Sequence, residues 1–304
     1  MKPLTWQGVA RGAVRKVCTR LLFLLILGSH VWALRWELDE TGRSVAVPDR
    51  AHRVVSLSPS LTNTVYALGA ASDLVGITDY TAYPPEATRQ KPSVGAVVNP
   101  SLEKIVALHP DLVLALPDFN GTETIAGLQR LGIPVFLFST GDISHIYRTV
   151  ENVGRVMGRE REAAALVAQL HSRANLVRAQ STAKDKPAVL LVLSIDPLIT
   201  AGRNAFITEM IAAAGARSVT DDVKQDWLQM NVEAILPRKP DYILLMKNGP
   251  VSLKDMQQRA GWNSLEAVQR GRVIIIDDRI QLPAPVAFDG LEDLARQIHA
   301  VQPH

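Results

Sequence analysis

The order of apolar and polar positions divides the chain into two series of short strands and helices, separated by a long helical stretch. Trp36 to Val47 alternates around Glu40-Thr41-Gly42-Arg43, which predicts a short hairpin capping the first domain. Arg53–Leu57, Leu74–Thr78, Asp111–Leu116 and Pro134–Phe138 are brief, nearly continuous apolar runs, as expected of strands buried on both faces. Ser58-Pro59-Ser60 reads as a turn and helix start, and Leu61–Leu68, Ser101–Leu108 and Thr122–Leu131 read as helices. Strands alternating with helices predict parallel sheets covered on both sides.

From Ile143 the strand signals stop. One helix ends near Gly158, and a second runs from about Glu160 to Gln180 with Leu166, Leu170, Ala174 and Val177 as its apolar stripe. At 1.5 Å per residue it is roughly 30 Å long, enough to cross between two lobes. After Lys184-Asp185-Lys186-Pro187 the series resumes. Strands are predicted at Ala188–Ser194, Tyr242–Met246 and Val273–Ile276, and helices at Asn204–Ala214, Val232–Leu236 and Leu291–Val301. The expected fold is α/β: two Rossmann-like lobes with parallel sheets, joined by one long α-helix. The boundaries fall at 1–33 (a leader), 34–158 (first lobe), 159–183 (connecting helix) and 184–304 (second lobe).

The two series resemble one another. Leu102-Glu103 through Pro110-Asp111-Leu112-Val113 aligns with Val232-Glu233 through Pro240-Asp241-Tyr242-Ile243. A glutamate at a helix start, an apolar stripe and a Pro-Asp pair entering a strand recur at one spacing, which marks two copies of one α/β unit.

Charge changes the picture at the amino terminus. The formal net charge is +3, but residues 1–33 hold five basic residues and no acid. The remainder is mildly acidic, which removes the support for a nucleic-acid partner. The basic stretch, the apolar run Leu21–Leu27 and the small residue of Val31-Trp32-Ala33 predict a cleaved signal peptide and a periplasmic protein, the alternative being an uncleaved N-terminal anchor. Cys18, the single cysteine, precedes the apolar run, the wrong side for a lipid anchor.

Signals for catalysis are weak. The chain has no P-loop, no G-x-G-x-x-G after its first strand and no G-x-S-x-G, and its seven histidines form no H-x-x-x-H pair. A binding cleft is better motivated, because ligands of parallel α/β sheets sit beyond the carboxyl ends of the strands. Those ends carry Ser58-Pro59-Ser60, Asp79-Tyr80 with Tyr83, Asp118-Phe119, Asp196-Pro197, Lys247-Asn248 and Asp277-Asp278-Arg279. Tyr80, Tyr83, Phe119 and Trp227 are aromatics in predicted loops, suited to gripping a large flat ligand.

Over about Trp36 to His299 the chain resembles the helical-backbone (class III) periplasmic binding proteins, which carry cobalamin, haem and ferric siderophores to ABC importers. The resemblance rests on Arg53-Val-Val-Ser-Leu-Ser-Pro59-Ser, Val75-Gly-Ile-Thr-Asp-Tyr80, Tyr83-Pro84-Pro85-Glu86, Val94-Gly95, the two glutamate blocks, Trp262-Asn-Ser-Leu-Glu-Ala-Val-Gln-Arg-Gly271 and Gly290-Leu-Glu-Asp-Leu-Ala. Within the family the cobalamin-binding branch is most similar, through Tyr83 before a Pro-Pro pair, Trp227 six residues before a glutamate, and Asp278. The chain departs from that branch at Val97 and Leu116, where tryptophans stand, and near Ile199. The resemblance implies a ligand site drawing on Ser58, Pro59, Tyr80, Tyr83, Phe119, Trp227 and Asp278. It also implies Glu103 and Glu233 docking on arginines of an inner-membrane permease dimer. The implied ligand is a bulky metal chelate, a cobalt corrinoid or an iron chelate (haem or ferric siderophore). The protein would have no cofactor and no metal site of its own. A secreted α/β enzyme is the remote alternative.

Overall fold

The computed structural model describes residues 34–180 and 186–301. The predicted leader 1–33 lies outside the described residues, as do the last residues of the predicted connecting helix.

The hairpin forms as β1 (Leu34–Leu38) and β2 (Ser44–Pro48). Asp39 closes its turn, accepting from the Thr41 and Arg43 backbone N–H groups at 3.0 Å each. The first lobe then builds a four-stranded parallel sheet from β3 (Val54–Ser56), β4 (Leu74–Ile77), β5 (Leu112–Ala115) and β6 (Val135–Leu137), in the order β4-β3-β5-β6. Helices α1 (Pro59–Ala67), α2 (Pro85–Gln90), α3 (Leu102–Ala107), α4 (Pro117–Asn120) and α5 (Thr122–Arg130) connect these strands.

Two helices follow, α6 (Ile143–Val156) and α7 (Glu160–Gln180). Gly158, at φ +64°, ends the first in the left-handed conformation that glycine adopts without strain. The buried face of α7 is Ala163, Val167, Leu170 and Val177, while the predicted Leu166 and Ala174 pack partly buried beside it.

The second lobe uses β7 (Ala188–Val192), β8 (Ser194–Ile195), β9 (Leu198–Ala201), helix α8 (Phe206–Ala213), β10 (Arg217–Ser218), β11 (Trp227–Met230) and β12 (Tyr242–Met246). Short helices α9 (Leu253–Gln257) and α10 (Glu266–Gln269), strand β13 (Val273–Ile276) and α11 (Ala287–Val301) complete it. The parallel sheet has the order β10-β7-β12-β13. Numbered within its own lobe, each sheet therefore runs 2-1-3-4, so the repeat read in the sequence is a repeat of topology. Its Pro-Asp pair has the same task in both copies. The Asp111 carboxylate accepts from the N–H groups of His52 and Arg53 at 2.8 and 3.0 Å, and that of Asp241 accepts from Ala188 N–H at 2.7 Å. Each aspartate clamps the start of its lobe's third strand to the start of the first.

The sequence reading did not predict one of the sheets, and the predicted helix Val232–Leu236 is two 3-10 turns, Val232–Ala234 and Leu236–Arg238. Strands β8, β9 and β11 form a separate antiparallel sheet in the order β11-β9-β8. Leu228 is buried there while its neighbours Trp227 and Gln229 are exposed, the period of a half-buried strand.

Alternation along the parallel strands sends side chains into three cores. Leu112, Leu114 and Phe136 of the first sheet and Val189, Leu191, Leu244 and Ile274 of the second belong to one continuous core, with residues of α1, α6, α7, α8 and α11. The opposite faces have cores of their own, around Val55, Val113 and Leu128 in the first lobe and around Leu190, Ile243 and Trp262 in the second. The lobes are thus welded along one face, and the described residues from Arg35 onward form one compact unit.

Candidate functional site

The carboxyl ends of both parallel sheets carry their loops to the join between the lobes. From β3 the chain turns into α1, with Ser58 as the capping residue and Pro59 in the first turn. The Ser58 hydroxyl accepts from Ser60 N–H at 3.3 Å, and the side chain is buried. From β4 the chain reaches Tyr80, 88% exposed and left-handed at φ 61°, a conformation that is costly for a bulky residue. The loop beyond it is pinned by the Thr81 hydroxyl, which donates to Thr78 O at 2.9 Å, and by the Thr88 hydroxyl, which donates to Thr81 O at 2.6 Å. This holds Tyr83-Pro84 at the start of α2. From β5 the chain enters α4, so Phe119, expected in a loop, sits on one helical turn and is half exposed. Fully buried Asn120 accepts from Leu116 N–H at 2.6 Å and donates to Leu57 O and Val97 O, both at 2.8 Å, tying the ends of β3 and β5 to the Val97 loop. Trp227, also expected in a loop, opens β11 opposite Ala201 and is half exposed.

Between the lobes lies a cavity of about 440 Å³. The first lobe lines it with Asn63, Tyr83, Pro84 and Pro85, and the second with Lys247, Asn248, Asp277, Arg279 and Val286. Tyr83 is the member of the predicted set that lines it. Asp278 stands one hydrogen bond behind, taking the N–H of Asn248 at 3.4 Å and its side-chain amide. Ser58, Pro59, Tyr80, Phe119 and Trp227 do not line this cavity. Asn63 and Val286 escaped the sequence reading. Asn63 is interior to a helix and Val286 belongs to a segment without a pattern; the structure shows Asn63 buried in a polar run with Ser60, Thr62 and Thr64.

The electrostatics are organised around Arg279. Its guanidinium donates to both oxygens of Asp277 at 2.8 Å and to Asp289 at 2.9 Å. Asp289 also receives Arg173 of α7 at 2.7 Å, and Arg173 forks onto Glu292 at 2.6 and 3.0 Å. The chain of charges runs from the cleft to the connecting helix. The Arg279 guanidinium holds the Asp277 carboxyl below its ordinary range. Burial pushes the Tyr83 phenol up, and the Asp277 and Asp278 carboxylates push it further against the partial opposition of Arg279. At neutral pH Tyr83 is therefore a neutral hydrogen-bond donor. The two lobes touch directly beside the cavity, where Val286 N–H donates to Asn63 Oδ1 at 3.2 Å.

Glu103 and Glu233 are both exposed and have no ion-pair partner among the described residues. Each follows an equivalent cap: the Ser101 hydroxyl accepts from Lys104 N–H at 3.2 Å, and Asn231 Oδ1 from Ala234 N–H at 3.1 Å. Glu233 also borders an open groove of about 370 Å³ with Asp196, Met230, Arg259 and Trp262, in which Arg259 pairs with Asp196 at 3.0 Å. Among the described residues no helix is long and apolar enough to cross a membrane, and no three His, Cys, Asp or Glu side chains converge to hold a metal.

A two-lobed α/β fold with its cavity at the carboxyl ends of two duplicated sheets defines a class of solute-binding proteins. The chain belongs to the periplasmic binding protein family, which it matches over residues 54–280. It is 32% identical over 269 residues to an ABC transporter substrate-binding lipoprotein of Bacillus subtilis, covering 86% of this chain and 84% of that one. Among solved structures it is similar to the apo periplasmic heme-binding protein RhuT of Roseiflexus sp. RS-1, with a TM-score of 0.75 and 25% identity over 82% of this chain and 98% of that one. It is likewise similar to the periplasmic vitamin B12 binding protein BtuF of Vibrio cholerae, with a TM-score of 0.72 and 25% identity over 84% and 100%. Relatives of this kind are substrate-binding components of ABC transporters.

Proposed function

We propose that the protein is the periplasmic substrate-binding component of an ABC importer that captures cobalamin or a related corrinoid in the interlobe cleft and delivers it to a dimeric permease, with no catalytic step. The observation that carries this reading is the cavity between the lobes, where Tyr83 faces the Asp277–Asp278 turn across the join. A volume of about 440 Å³ suits one face and edge of a large chelate, with the rest left at the mouth. Tyr80, Phe119 and Trp227 are half exposed or more, and they supply aromatic surface for that remainder. Ser58 and Pro59 shape the helix start beneath it. The nine lining residues include no histidine or cysteine, and Tyr83 is held as a neutral phenol. A chelate that brings its metal already enclosed fits such a lining, and a corrinoid is one. Haem or a ferric siderophore is the second reading, favoured by the likeness to a heme-binding protein. Residues 1–33 act in this reading as a cleaved export signal, and Glu103 and Glu233 dock the two lobes on the permease.

The test is the visible spectrum of protein purified with its natural ligand, followed by calorimetric titration with cyanocobalamin and haemin. Corrinoid bands and tight cobalamin binding are expected. Binding of neither compound would overturn the corrinoid and haem readings.

A further inference from the structure

The cleft carries more hydrogen-bond donors than its own residues satisfy. Asn63 is 7% exposed and lines the cavity. Its oxygen is committed to Val286 N–H at 3.2 Å, and its amide nitrogen has no acceptor among the described residues. The Tyr83 hydroxyl lines the same cavity and likewise has no partner among them. The third donor is a charge. Arg279 is neutralised twice, by Asp277 and by Asp289. Lys247 is exposed on the cavity wall; no carboxylate lies within ion-pair distance of it among the described residues, and its charge reaches Asp277 only through space, helping Arg279 to hold that carboxyl down. The Asp277 carboxylate takes three hydrogen bonds from Arg279, and Asp278 is turned into the Asn248 amide behind the wall. The unpaired side-chain acceptors on the wall, the Asn248 amide oxygen and the Tyr83 phenol oxygen, are neutral. An amide, a phenol and an ammonium, drawn from both lobes, therefore await a group that only accepts.

We infer that this wall is a subsite for an anionic oxygen group on the periphery of the chelate, a carboxylate or a phosphate, with Lys247 as the residue that selects for its charge. The subsite rests on the reading of the cleft as the ligand site. A charge-assisted contact in a half-enclosed cleft is worth about tenfold in affinity after its exchange with water. A flexible lysine suits a single oxygen or a phosphate better than a fixed bidentate carboxylate fork.

Two ligand pairs separate the sources of the charge. Haemin dimethyl ester is haemin with its carboxylates neutralised, and dicyanocobinamide is a corrinoid without the nucleotide loop of cyanocobalamin, its phosphate included. Each is titrated by fluorescence quenching into the wild type, Lys247→Gln and Lys247→Arg. In the arm of whichever parent binds, the analogue is expected to bind the wild type about tenfold more weakly. Lys247→Gln should weaken the parent by a similar factor and leave the analogue unchanged, and Lys247→Arg should keep most of the difference. A difference confined to the haemin pair assigns a carboxylate, and one confined to the corrinoid pair assigns a phosphate where Lys247→Gln abolishes it, since the base and ribose of the loop are lost as well. Equal affinities for parent and analogue, with Lys247→Gln indistinguishable from wild type, would overturn the subsite while leaving the cleft intact. Failure of both parents to bind folded wild-type protein would instead overturn the corrinoid and haem readings of the cleft, and the subsite with them.

Discussion

Replacing Asp111 with alanine tests whether the duplicated Pro-Asp pair is a structural clamp. The substitution removes the acceptor of two backbone N–H groups, those of His52 and Arg53, at 2.8 and 3.0 Å. It leaves the backbone bond from Asp111 N–H to Arg53 O in place. Hydrogen bonds to a carboxylate contribute about 1.5–3 kcal/mol each when shielded. Here Arg53 is exposed and His52 half-buried, so water recovers part of the loss. The expected cost is about 2–3 kcal/mol, or roughly 4–10 °C in Tm for a chain of this size. Asp111→Asn keeps one acceptor and should lie between. The clamp sits at the amino end of β5, whereas the cleft lies beyond the carboxyl end, so ligand affinity measured well below Tm should not change. Thermal unfolding by circular dichroism and calorimetric titration supply the two readouts, and Asp241→Ala, which removes one such bond instead of two, should lower Tm by about half as much. A Tm within 1 °C or so of wild type would refute the clamp. Lost affinity in a folded protein would refute the separation of clamp from cleft.

Gly290 of α11 lies so close to the turn carrying Arg279 that a Cβ there would stand 2.6 Å from Ile280 N and Cβ. Gly290→Ala should cost about 2 kcal/mol or more and also weaken ligand binding, by displacing that turn; unchanged titration curves would show the turn to be uninvolved. Asp142 is pulled to about 2 by the Ser144 hydroxyl and then by His145. An acid so depressed contributes stability above its ordinary value of 3.8 that is lost as pH falls through about 2. Asp142→Asn should therefore flatten part of the decline of Tm over that window, slightly, because the side chain is 58% exposed; superimposable curves would exclude it. The double variant Glu103→Ala, Glu233→Ala should keep full ligand affinity but transport poorly in reconstituted vesicles, and normal transport would end the docking assignment. Trp227→Ala should weaken the ligand severalfold, as the loss of one stacking contact does, with little change in Tm; calorimetry decides.

The periodic parts of the fold were legible because burial wrote them into the sequence. Strand β7 is apolar at every position and buried at every position, as a parallel strand between two helical layers must be. The glutamate blocks could be aligned because both copies need the same cap, the same buried isoleucine (Ile105 and Ile235) and the same clamping aspartate. The sheet β11-β9-β8 was not legible. Its strands have four, four and two residues, too few for alternation to stand out, so Trp227 read as loop. At the site, strand ends pointed to Lys247, Asn248, Asp277 and Arg279, which do line the cavity. Asn63 did not announce itself, because a polar residue inside an amphipathic helix normally faces solvent, and this one faces the opposite lobe.

The core shared by the two lobes has a kinetic consequence. Swinging the lobes apart would wet apolar surface along their common face, at about 2.5 kcal/mol for every 100 Å² exposed. An opening of that size would be occupied roughly 2% of the time or less. The empty protein thus spends nearly all its life in the geometry that receives cargo, so encounter meets little reorganisation and association can be fast. By microscopic reversibility escape retraces the path of entry, so the residence time is set by the contacts the cleft makes and not by a separate opening of the lobes. On the proposed docking reading, a membrane partner gripping both lobes would speed unloading by breaking those contacts as it forces the lobes apart.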